Sequence, residues 1–533
     1  MKTQNDYDAV IVGSGFAGLY MLYKLRKLGF SVLVIEKADQ VGGTWHWNRY
    51  PGARCDIPSL QYSYQFDEEL QQEWSWSEKY SAQPEILEYL NHVADRFSLR
   101  ENILFNNKVS QAVYDENLHN WKITTKSKKT FTSQFCIMAT GCLSVPNKPN
   151  LEGLDNFKGE VLHTGSWPTE PVDFTNKRVA IVGTGSSSIQ SIPVIAESAD
   201  SLYVYQRTPN YSIPSNNGPM DRVQEREIKS RYSDFRKENW QNGFGIAGLE
   251  EEALAVEAEP EQRDAKFSFH FDNDGLAFLG AYGDLMFDEN ANKLAADFAR
   301  SKIRSIVKDQ KTADLLSPKH CIGGKRLCVD NGYFEAFNRN NVFLIDLNEE
   351  PIDKLSENSI LSKDISNEID ILILATGFDA ITGAVRNINI TGKKGANLEE
   401  QWKKRVESYL GLGISNFPNL FTITGPGSPS VLSNMVPSIE QHVEWIADCM
   451  TWMQSNNKTV IESTEAAEQE WMKLVNEIAD MTVYTSVESW YNGSNIKEKS
   501  KEFLPFIGVP VYSEQIEDVA KNRYKGFVFD QLI

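Results

Sequence analysis

The chain of 533 residues lacks long hydrophobic runs, and no segment approaches the roughly 20 apolar residues that a membrane-spanning helix needs. Its N-terminal stretch, MKTQNDYDAVIVGSG, also lacks the apolar region and cleavage site of a secretory signal, because a short apolar stretch leads straight into a glycine turn. These two absences predict a soluble, cytoplasmic protein with no membrane partner.

Basic residues are outnumbered, because 54 lysines and arginines stand against 73 aspartates and glutamates, for a net charge of -19. This charge repels phosphate backbones, so it argues against nucleic acid as a partner. The hydrophobic fraction of 41% and the charged fraction of 24% are ordinary for a globular protein. Because one hydrophobic core rarely grows past roughly 250 to 300 residues, we expect two or three domains.

Cysteine and histidine are scarce and scattered. The six cysteines show no zinc-ligand spacing, and without an export signal they are expected to be reduced thiols rather than a disulfide framework. The seven histidines form no HExxH or HxH cluster. We therefore predict that the protein has no metal site.

A glycine motif follows the first apolar run. Residues 7–12 form a short apolar stretch, GSGFAG supplies Gly13, Gly15 and Gly18, and an amphipathic stretch to residue 28 precedes a second apolar run at residues 31–35. Such glycines let backbone amides approach a pyrophosphate and let the helix pack on the strand. Glu36, 23 residues after Gly13, can accept hydrogen bonds from ribose hydroxyls. An ordinary strand-to-helix turn is the alternative, but the complete context favours dinucleotide binding.

The same pattern recurs at residues 178–205, where GTGSSS supplies Gly183, Gly185 and Ser188 and is followed by an interrupted helix that contains Pro193. Serine at the third position departs from the usual glycine or alanine, although it is small enough for close helix packing. A second dinucleotide is therefore expected.

The residues that follow each second strand distinguish the two ligands. Arg207, 24 residues after Gly183, and the adjacent Thr208 stand where the first unit has Glu36. A carboxylate repels a 2′-phosphate, whereas a guanidinium pairs with it. The first unit therefore suits FAD and the second suits NADPH.

Two further runs, residues 137–141 and 371–377, each end in ATG and predict buried strands that lead into domain crossings. Residues 213–317 are rich in helical patterns, with a periodic stretch at 291–306 and an acidic tract at 250–261 that we interpret as a solvated face. The predicted fold class is α/β, with two Rossmann-like dinucleotide-binding domains and a helical insertion in the NADP domain.

Two motifs carry a family resemblance. FKGEVLHTGSWP, at residues 157–168, fits the pattern FxGxxxHxxxW followed by proline and contains Trp167. A second pattern of glycines, aromatics, proline and aspartate is matched by Gly42, Gly43, Trp45, Tyr50, Pro51, Gly52 and Asp56. With these motifs the chain resembles the type I Baeyer–Villiger monooxygenases. The related flavin-containing monooxygenases carry tyrosine or phenylalanine in place of Trp167.

The resemblance covers essentially the whole chain. It continues through KRLCVDNGYFEAFNRNNV near residue 325, ILATGFDA near 371, GPGSPSVLSNM near 425 and SWYNGSN near 489. The third of these segments looks most like the phenylacetone and steroid monooxygenase branch. The resemblance implies an FAD-containing, NADPH-dependent enzyme that uses O2, through a flavin peroxide, to convert cyclic, aromatic or steroid-like ketones to esters or lactones.

The resemblance also implies residue roles and domain limits. Arg326 is the expected active-site cation, Asp56 orients it, and Lys325 joins Arg207 at the 2′-phosphate. Trp490 matches the tryptophan of a mobile C-terminal loop that closes on NADPH. The expected domains are an FAD-binding domain made of 1–145 and 379–533, an NADP-binding domain made of 150–212 and 326–378, and the helical insertion 213–325.

Together, the motifs and the resemblance define the predicted site. The residues expected at the cofactors are Gly13, Ser14, Gly15, Phe16, Gly18, Glu36, Thr44, Trp45, Trp47, Arg54, Asp56, Ile57, Tyr62, Val109, Met435, Gly183, Thr184, Gly185, Ser186, Ser187, Ser188, Gln190, Arg207, Thr208, Lys325 and Trp490. The residues expected to line the substrate pocket are Ser430, Val431 and Leu432.

Several of these residues have simpler interpretations. For Trp47, core packing and flavin contact are equally consistent with the sequence. His163 is expected to stabilise a domain linker rather than to contact substrate, and the Lys325 and Arg326 pair in isolation would be a solvated basic pair. We expect a monomer or a weak homo-oligomer.

Three other functions remain as alternatives. A flavin-containing monooxygenase that oxidises sulfides or amines is the nearest. A disulfide reductase would need a redox pair such as CxxxxC, which the spacing of Cys136 and Cys142 does not supply. A flavin-binding sensor or scaffold would not require Arg207 and Lys325 for a second nucleotide.

Overall fold

The computed structural model describes residues 6–247, 253–363, 365–496, 499 and 501–530. Part of the predicted acidic tract, residues 250–252, therefore lies outside the described residues. The N-terminal segment contains β1 (Tyr7–Val12), α1 (Phe16–Lys27), β2 (Val32–Ile35), α2 (Thr44–Trp47), α3 (Glu68–Glu73), α4 (Gln83–Arg96), β3 (Ile103–Leu104), β4 (Val109–Asp115), β5 (Asn120–Thr125) and β6 (Thr130–Met138).

The middle of the chain contains a second series of strands and the helices between them. These are β7 (Glu160–His163), β8 (Arg178–Val182), α5 (Ser186–Ser198), β9 (Ser201–Gln206), β10 (Ser212–Pro214), α6 (Arg222–Ser230), α7 (Tyr232–Gln241), α8 (Pro260–Asn273), α9 (Glu289–Ile306), α10 (Gln310–Leu316), β11 (Cys328–Asp330), α11 (Tyr333–Ala336), β12 (Val342–Asp346), β13 (Lys354–Leu355), β14 (Ser359–Ser362), β15 (Ile365–Glu368) and β16 (Ile371–Leu374).

The C-terminal segment returns to the first part of the molecule. Its elements are α12 (Gly383–Arg386), β17 (Asn389–Thr391), α13 (Leu398–Lys404), β18 (Leu420–Thr422), α14 (Met435–Ser455), β19 (Val460–Ser463), α15 (Glu465–Asp480), α16 (Val509–Lys521) and β20 (Phe527–Asp530).

The largest sheet joins strands from both ends of the chain, in the order β17-β4-β5-β6-β1-β2-β3. The long strand β6 has two partners on one side. Its first half pairs with β5 in antiparallel fashion, and its second half pairs with β18 in parallel register. The strands β1 and β2, which flank the first glycine motif, are buried and parallel to β6, as expected for a dinucleotide-binding unit.

A second sheet is entirely parallel and has the order β12-β9-β8-β16-β7. The strands β8 and β9 and the helix α5 between them form the second strand-turn-helix-strand unit, so the predicted α/β fold with two Rossmann-like units is confirmed. Smaller pairings are β13-β14-β15, β10-β11 and β19-β20. Helices α6 to α10 occupy the predicted helical region, and the strands that bound this region, β10 and β11, pair with each other.

Both glycine turns pack against the end of a neighbouring strand. Gly13 has φ +106°, and a Cβ there would lie 2.5 Å from the carbonyl oxygen of Ala139, just after β6. Gly183 has φ +114°, and a Cβ there would lie 2.4 Å from the carbonyl oxygen of Ala375, just after β16. A side chain is excluded at both places by conformation and by contact. The alanine of each ATG sequence therefore packs against one of the two glycine turns.

The two segments that follow these ATG sequences run side by side. The amide of Asp379 donates to the carbonyl of Val145 at 2.9 Å, the amide of Ile381 donates to that of Cys142 at 2.7 Å, and the amide of Asn147 donates to Gly377 at 2.9 Å. We call residues 142–147 and 377–381 the paired crossings.

Among the described residues, no helix is long and apolar enough to cross a membrane, and no group of three or more candidate ligands is placed to hold a metal ion.

Candidate functional site

A cavity of about 450 Å³ opens at the carboxyl ends of β1 and β2, beside the first glycine turn. Many residues predicted to contact the first cofactor line this cavity. They are Gly13, Ser14, Gly15, Phe16, Glu36, Thr44, Trp45, Trp47, Tyr62, Val109 and Met435. Val431, predicted at the substrate pocket, also lies on its wall.

Backbone approaches close the rim of the cavity around the glycine turn. A Cβ at Gly18 would lie 1.9 Å from the carbonyl oxygen of Gly13, so this glycine allows α1 to pack on the strand rather than lining the cavity. A Cβ at Gly15 would lie 3.3 Å from the Cα of Gly43. Gly15 and Phe16, at the N-terminus of α1, line the cavity, so this end of the helix faces a space that an anionic group can fill.

Glu36 lies at the end of β2 and is only 4% exposed. One carboxylate oxygen accepts hydrogen bonds from the amide and the hydroxyl of Ser14, at 2.7 and 3.0 Å. The other accepts from the amide of Ala38 at 2.8 Å. These bonds hold a buried acceptor at the cavity wall, which fits recognition of ribose hydroxyls.

Aromatic side chains form another wall. The indole nitrogen of Trp45 donates to the hydroxyl of Tyr62 at 3.2 Å. Trp47 is half-buried at the cavity rather than in the hydrophobic core, with the ammonium of Lys37 4.5 Å from its ring centroid. Its carbonyl accepts from the amide of Trp167 at 3.2 Å, so the residue that distinguishes the two monooxygenase families supports the cavity from behind.

Arg326 and Asp56, which are 270 positions apart in the sequence, form a two-pronged ion pair beside this cavity. Nε and Nη2 of the arginine lie 3.0 and 2.8 Å from Oδ2, and Nη2 lies 2.9 Å from Oδ1. Nη1 donates to the carbonyl of Val431 at 2.7 Å. Burial lowers the pKa of Arg326, but the adjacent carboxylate outweighs burial and raises the pKa overall, so the group stays a cation.

The second glycine turn is open on the side expected for a nucleotide. A Cβ at Gly185 would meet no described atom within 4 Å, and α5 begins directly after it, at Ser186. The hydroxyl of Ser187 donates to that of Thr164 at 3.0 Å. Ser188 is fully buried, and its hydroxyl has no hydrogen-bond partner among the described residues. Its small side chain replaces the usual glycine or alanine at the cost of an unpaired polar atom.

Two cations lie near enough to influence each other at the end of β9. Burial lowers the pKa of the half-buried Lys325, and the nearby Arg207 guanidinium lowers it further, whereas Glu488 acts in the opposite direction. The hydroxyl of Thr184 donates to the carbonyl of Thr208 at 2.9 Å, which fixes the backbone next to Arg207. Because the two like charges repel each other, an anionic group between them would be stabilising.

The predicted residues Arg54, Ile57 and Gln190 lie behind the cavity walls. The side chain of Gln190 donates to the carbonyl of Arg54 at 3.0 Å and accepts from the hydroxyl of Tyr50 at 3.0 Å. Ile57 is 2% exposed and belongs to the hydrophobic core. These contacts join the glycine-helix unit of the second sheet to the Asp56 segment of the first, so the three residues support the site without lining its described cavity.

The predicted substrate residues form a short buried turn. Ser430, Val431 and Leu432 precede α14, and the hydroxyl of Ser430 lies 3.0 Å from the sulfur of Cys142. Cys142 belongs to the paired crossings and also lines the cavity. The turn thus joins the arginine, through the Val431 carbonyl, to the wall of the cavity.

Trp490 lies half-buried in a short helical turn, with its ring centroid 4.3 Å from that of Tyr491. The segment that carries it lies close to the cation pair, since Glu488 influences Lys325 and the side chain of Val487 packs near Gly324. The predicted lid tryptophan and the predicted phosphate site are therefore neighbours in the structure.

Among the described residues, the partners of the His163 ring nitrogens are groups that stabilise the local structure. Its Nδ1 accepts from the amide of Gly165 at 2.9 Å, and its Nε2 lies 3.3 Å from the carbonyl of Asn147 on the paired crossings. These contacts are those of a residue that stabilises a linker. Burial lowers the pKa of His163, which favours the neutral ring that accepts the amide bond.

Sequence reasoning did not identify several cavity residues. They include Lys37, Asn107, Lys108, Ala139, Thr140, Gly141, Cys142, Leu143, Ser144, Val145, Pro146, Ala384, Asn387, Ile388, Thr424 and Ile439. The ATG sequence was the available signal for the longest of these stretches, because a strand beside a glycine-turn strand must end at the same edge of the sheet.

Comparison with known proteins gives a consistent result. Residues 10–231 match the family of pyridine nucleotide-disulphide oxidoreductases. A Baeyer–Villiger monooxygenase from Pseudooceanicola batsensis is 40% identical over 99% of this chain and 97% of its own length. A phenazine N-monooxygenase from Lysobacter antibioticus is 38% identical over 98% of this chain and 97% of its own length. The solved structure of an oxidized steroid monooxygenase bound to NADP is 45% identical, covers 98% of this chain and 99% of its own, and has a TM-score of 0.94.

Proposed function

Because the chain belongs to the Baeyer–Villiger monooxygenase family, we propose that Arg326 and Asp56 are the residues around which it carries out the family's reaction. The enzyme is a flavoprotein monooxygenase that uses FAD, NADPH and O2 to convert ketones to esters or lactones. The observation that supports the residue assignment is the bidentate Arg326–Asp56 pair, joined by the Val431 carbonyl to the cavity wall.

The residues at the first glycine turn fit FAD. The turn leaves a cradle that side chains would fill, the N-terminus of α1 faces it, and Glu36 presents a buried carboxylate. We propose that Ser14 and Glu36 hold the ribose and phosphate end, and that Trp45, Tyr62 and Met435 line the remainder. Bound FAD supplies the hydride-accepting and oxygen-activating chemistry, which no amino-acid side chain provides.

The residues at the second glycine turn fit NADPH. Gly185 leaves open space before α5, and Arg207 and Lys325 place two cations together where a 2′-phosphate would separate them. An Arg contact to phosphate is charge-assisted and stronger than a neutral hydrogen bond. We therefore assign coenzyme selection to Arg207, Lys325 and Thr208, and pyrophosphate binding to residues 183–188.

The chemical role of Arg326 follows from its held geometry. Asp56 binds Nε and Nη2, and the Val431 carbonyl binds Nη1, so the planar guanidinium is held on two sides. A fixed cation stabilises the negative charge that develops on oxygen as a ketone carbonyl is attacked. Asp56 keeps the guanidinium oriented. This orientation adds to the effect of the positive charge, because a misplaced cation lowers the reaction rate.

Further details of the enzyme are also proposals. We assign residues 1–145 and 379–533 to an FAD-binding domain, and 150–212 and 326–378 to an NADP-binding domain that carries the insertion 213–325. The substrates are cyclic, aromatic or steroid-like ketones that enter beside Ser430, Val431 and Leu432. The protein acts in the cytoplasm as a monomer or a weak homo-oligomer.

A second candidate activity is the oxidation of an aromatic nitrogen. It is favoured by the phenazine N-monooxygenase that is 38% identical over nearly the full chain. Such a substrate is nucleophilic and has no carbonyl on which negative charge develops, so the reaction would depend less on Arg326.

The two activities are separated by assaying the purified enzyme with NADPH and either a cyclic ketone or phenazine. We expect lactone in stoichiometric ratio to NADPH consumed, and the Arg326→Ala variant should lose this product. N-oxide formation that survives in Arg326→Ala, with no lactone from any cyclic, aromatic or steroid ketone in the wild type, would replace the proposed function by the second one.

A further inference from the structure

The two cations assigned to the site, Lys325 and Arg326, are neighbours in the sequence but serve different groups. The Arg326 guanidinium forms the two-pronged pair with Asp56 beside the flavin cavity, whereas Lys325 lies near Arg207 at the proposed phosphate site. Because one short stretch of backbone carries both side chains, any shift of that stretch would move both cations. What holds this backbone therefore matters for both parts of the reaction.

The strand that follows β9 runs beside this backbone. Strand β10 pairs with β11 in parallel register, with Ser212 opposite Cys328, and the amide of Cys328 donates to the carbonyl of Tyr211 at 3.1 Å. Two residues further toward the N-terminus, the same register would place Asn210 opposite Arg326. The described ladder ends before these two residues, so backbone pairing alone does not hold the arginine there.

The side chain of Asn210 continues the contact beyond the end of the ladder. Its Nδ2 donates to the carbonyl oxygen of Arg326 at 3.0 Å and lies 3.2 Å from the sulfur of Cys328. Its Oδ1 accepts from the amide of Tyr211 at 3.0 Å. Both ends of this half-buried amide are thus engaged, so the side chain is fixed and in turn fixes the backbone of Arg326.

Asn210 belongs to the part of the chain that is expected to hold the coenzyme. It comes three residues after Arg207, which follows the last strand of the second glycine-motif unit. A second contact joins the same two parts, because the hydroxyl of Ser186, the first residue of α5, lies 3.2 Å from the sulfur of Cys328. The backbone of the active-site arginine is therefore held from the coenzyme side of the site.

We infer that Asn210 is a positioning residue that sets Lys325 and Arg326 against the coenzyme-binding segment at Arg207. The inference rests on the proposed roles of these two cations. Without the Asn210 amide, the Arg326 carbonyl loses this donor and the backbone of both cations can shift. Because a small misplacement of a reacting or charged group lowers a rate, oxygen insertion and recognition of the 2′-phosphate should weaken together.

The test compares two asparagines that make the same kind of contact. Asn210→Leu removes the side-chain amide with little change in size. Asn341→Leu is the matched control, because Asn341 is also half-buried and its Nδ2 donates to the carbonyls of Ala196 and Ala199 at 3.0 and 2.8 Å. Asn341 precedes β12 at the amino ends of the parallel strands, whereas Asn210 follows their carboxyl ends.

The expected result has a distinct pattern across the two coenzymes. With NADPH, lactone formation by Asn210→Leu should fall about 10-fold, which corresponds to about 1.4 kcal/mol and to the size of one hydrogen bond. KM for NADPH should rise about 3- to 10-fold, whereas KM for NADH should stay within about twofold, because NADH has no 2′-phosphate for Lys325 to bind. Lactone per coenzyme consumed should fall with both coenzymes, since Arg326 acts on the ketone in either case. Asn341→Leu should leave all these values near those of the wild type.

Two further variants keep the test decisive. Asn210→Gln retains a donor amide and should recover part of both the lactone yield and the preference for NADPH. If Asn210→Leu does not fold, Asn210→Ala removes the same amide without adding bulk and should give the same pattern. FAD content and unfolding temperature are measured for every variant.

The outcomes distinguish the inference from the proposed function. Unchanged lactone yield and an unchanged ratio of the two KM values in Asn210→Leu, together with losses in Arg326→Ala and Arg207→Ala, would overturn the inference and leave the function in place. An equal rise of KM for both coenzymes with a lower FAD content would show a purely structural role and would also overturn it. Undiminished lactone formation in Arg326→Ala would remove the proposed function, and the inference with it.

Discussion

Replacing Arg326 by alanine is the most direct test of the site. The change removes a cation whose donors are held by Asp56 at 2.8 to 3.0 Å and by the Val431 carbonyl at 2.7 Å. Loss of one preorganised electrostatic partner typically costs about 10²- to 10³-fold in rate, which corresponds to about 2.7 to 4 kcal/mol of transition-state stabilisation. Oxygen insertion should fall by this factor.

The same substitution affects stability to a smaller extent. It leaves the Asp56 carboxylate and one carbonyl without their partner, and each unpaired buried group costs about 1 to 3 kcal/mol. Because the side chains of Arg326 and Asp56 are 18% and 24% exposed, water can replace part of the lost contact, and the total should lie at the lower end. The variant should therefore fold and retain FAD.

The assay combines anaerobic stopped-flow reduction with aerobic product analysis. NADPH should still reduce the flavin of Arg326→Ala, although more slowly, whereas lactone should fall near the detection limit and hydrogen peroxide should account for the NADPH consumed. Arg326→Lys keeps a charge but cannot bind Asp56 and Val431 with a planar fork, so it should restore only part of the activity. Asp56→Ala should show a milder form of the same defect. Lactone formation near the wild-type rate in Arg326→Ala would refute the assignment.

Three further predictions concern other parts of the site and core. Arg207→Ala should raise KM for NADPH by about 10-fold or more and leave NADH nearly unchanged, since a charge-assisted contact is worth about 1.5 to 3 kcal/mol; equal losses with both coenzymes would show that Arg207 does not bind the 2′-phosphate. Trp490→Ala should increase hydrogen peroxide per NADPH, measured by coupled peroxidase assay, and unchanged coupling would contradict its role in closure. Burial raises the pKa of Glu440 to about 8. The neutral carboxyl therefore contributes stability that is fully present below the unfolded pKa of roughly 4.3, and this contribution is lost as pH rises toward 8. The unfolding temperature of Glu440→Gln should therefore rise relative to that of the wild type between pH 5 and pH 8. A difference in unfolding temperature that stays constant with pH would disprove this pH dependence.

Local features of the fold were predictable from the sequence. The bounds of β1 and β8 agree with the apolar runs at residues 7–12 and 178–182, and α9 covers the periodic stretch at 291–306. These elements depend on local periodicity and on glycines with positive φ, which a single segment displays by itself. The order of sheet strands was less accessible. Nothing local indicates that β17 and β18 complete a sheet that begins at residue 7, because pairing over such distances depends on the tertiary structure.

The residues of the site also differ in how far the sequence alone predicts them. Glu36 and the glycine turns were identified because neighbouring residues form them. The Arg326 and Asp56 pair spans 270 positions, so only the family resemblance suggested it, although the structure does bring the two side chains into contact. Ser188 was recognised as a departure from the motif, but its unpaired hydroxyl is visible only in the packed helix.

The divided pairing of β6 imposes an order on folding during synthesis. The second half of this strand waits for β18, which begins at residue 420, whereas the parallel sheet that contains β8 has all its strands by residue 374. The parallel sheet, although it begins later in the chain, can therefore be completed before the larger sheet. At a translation rate of about 5 to 20 residues per second, the end of β6 stays without its outer neighbour for roughly 15 to 60 seconds. Throughout that interval the nascent chain presents an open strand edge beside an unfinished flavin cavity, and a chain released before residue 420 would keep both.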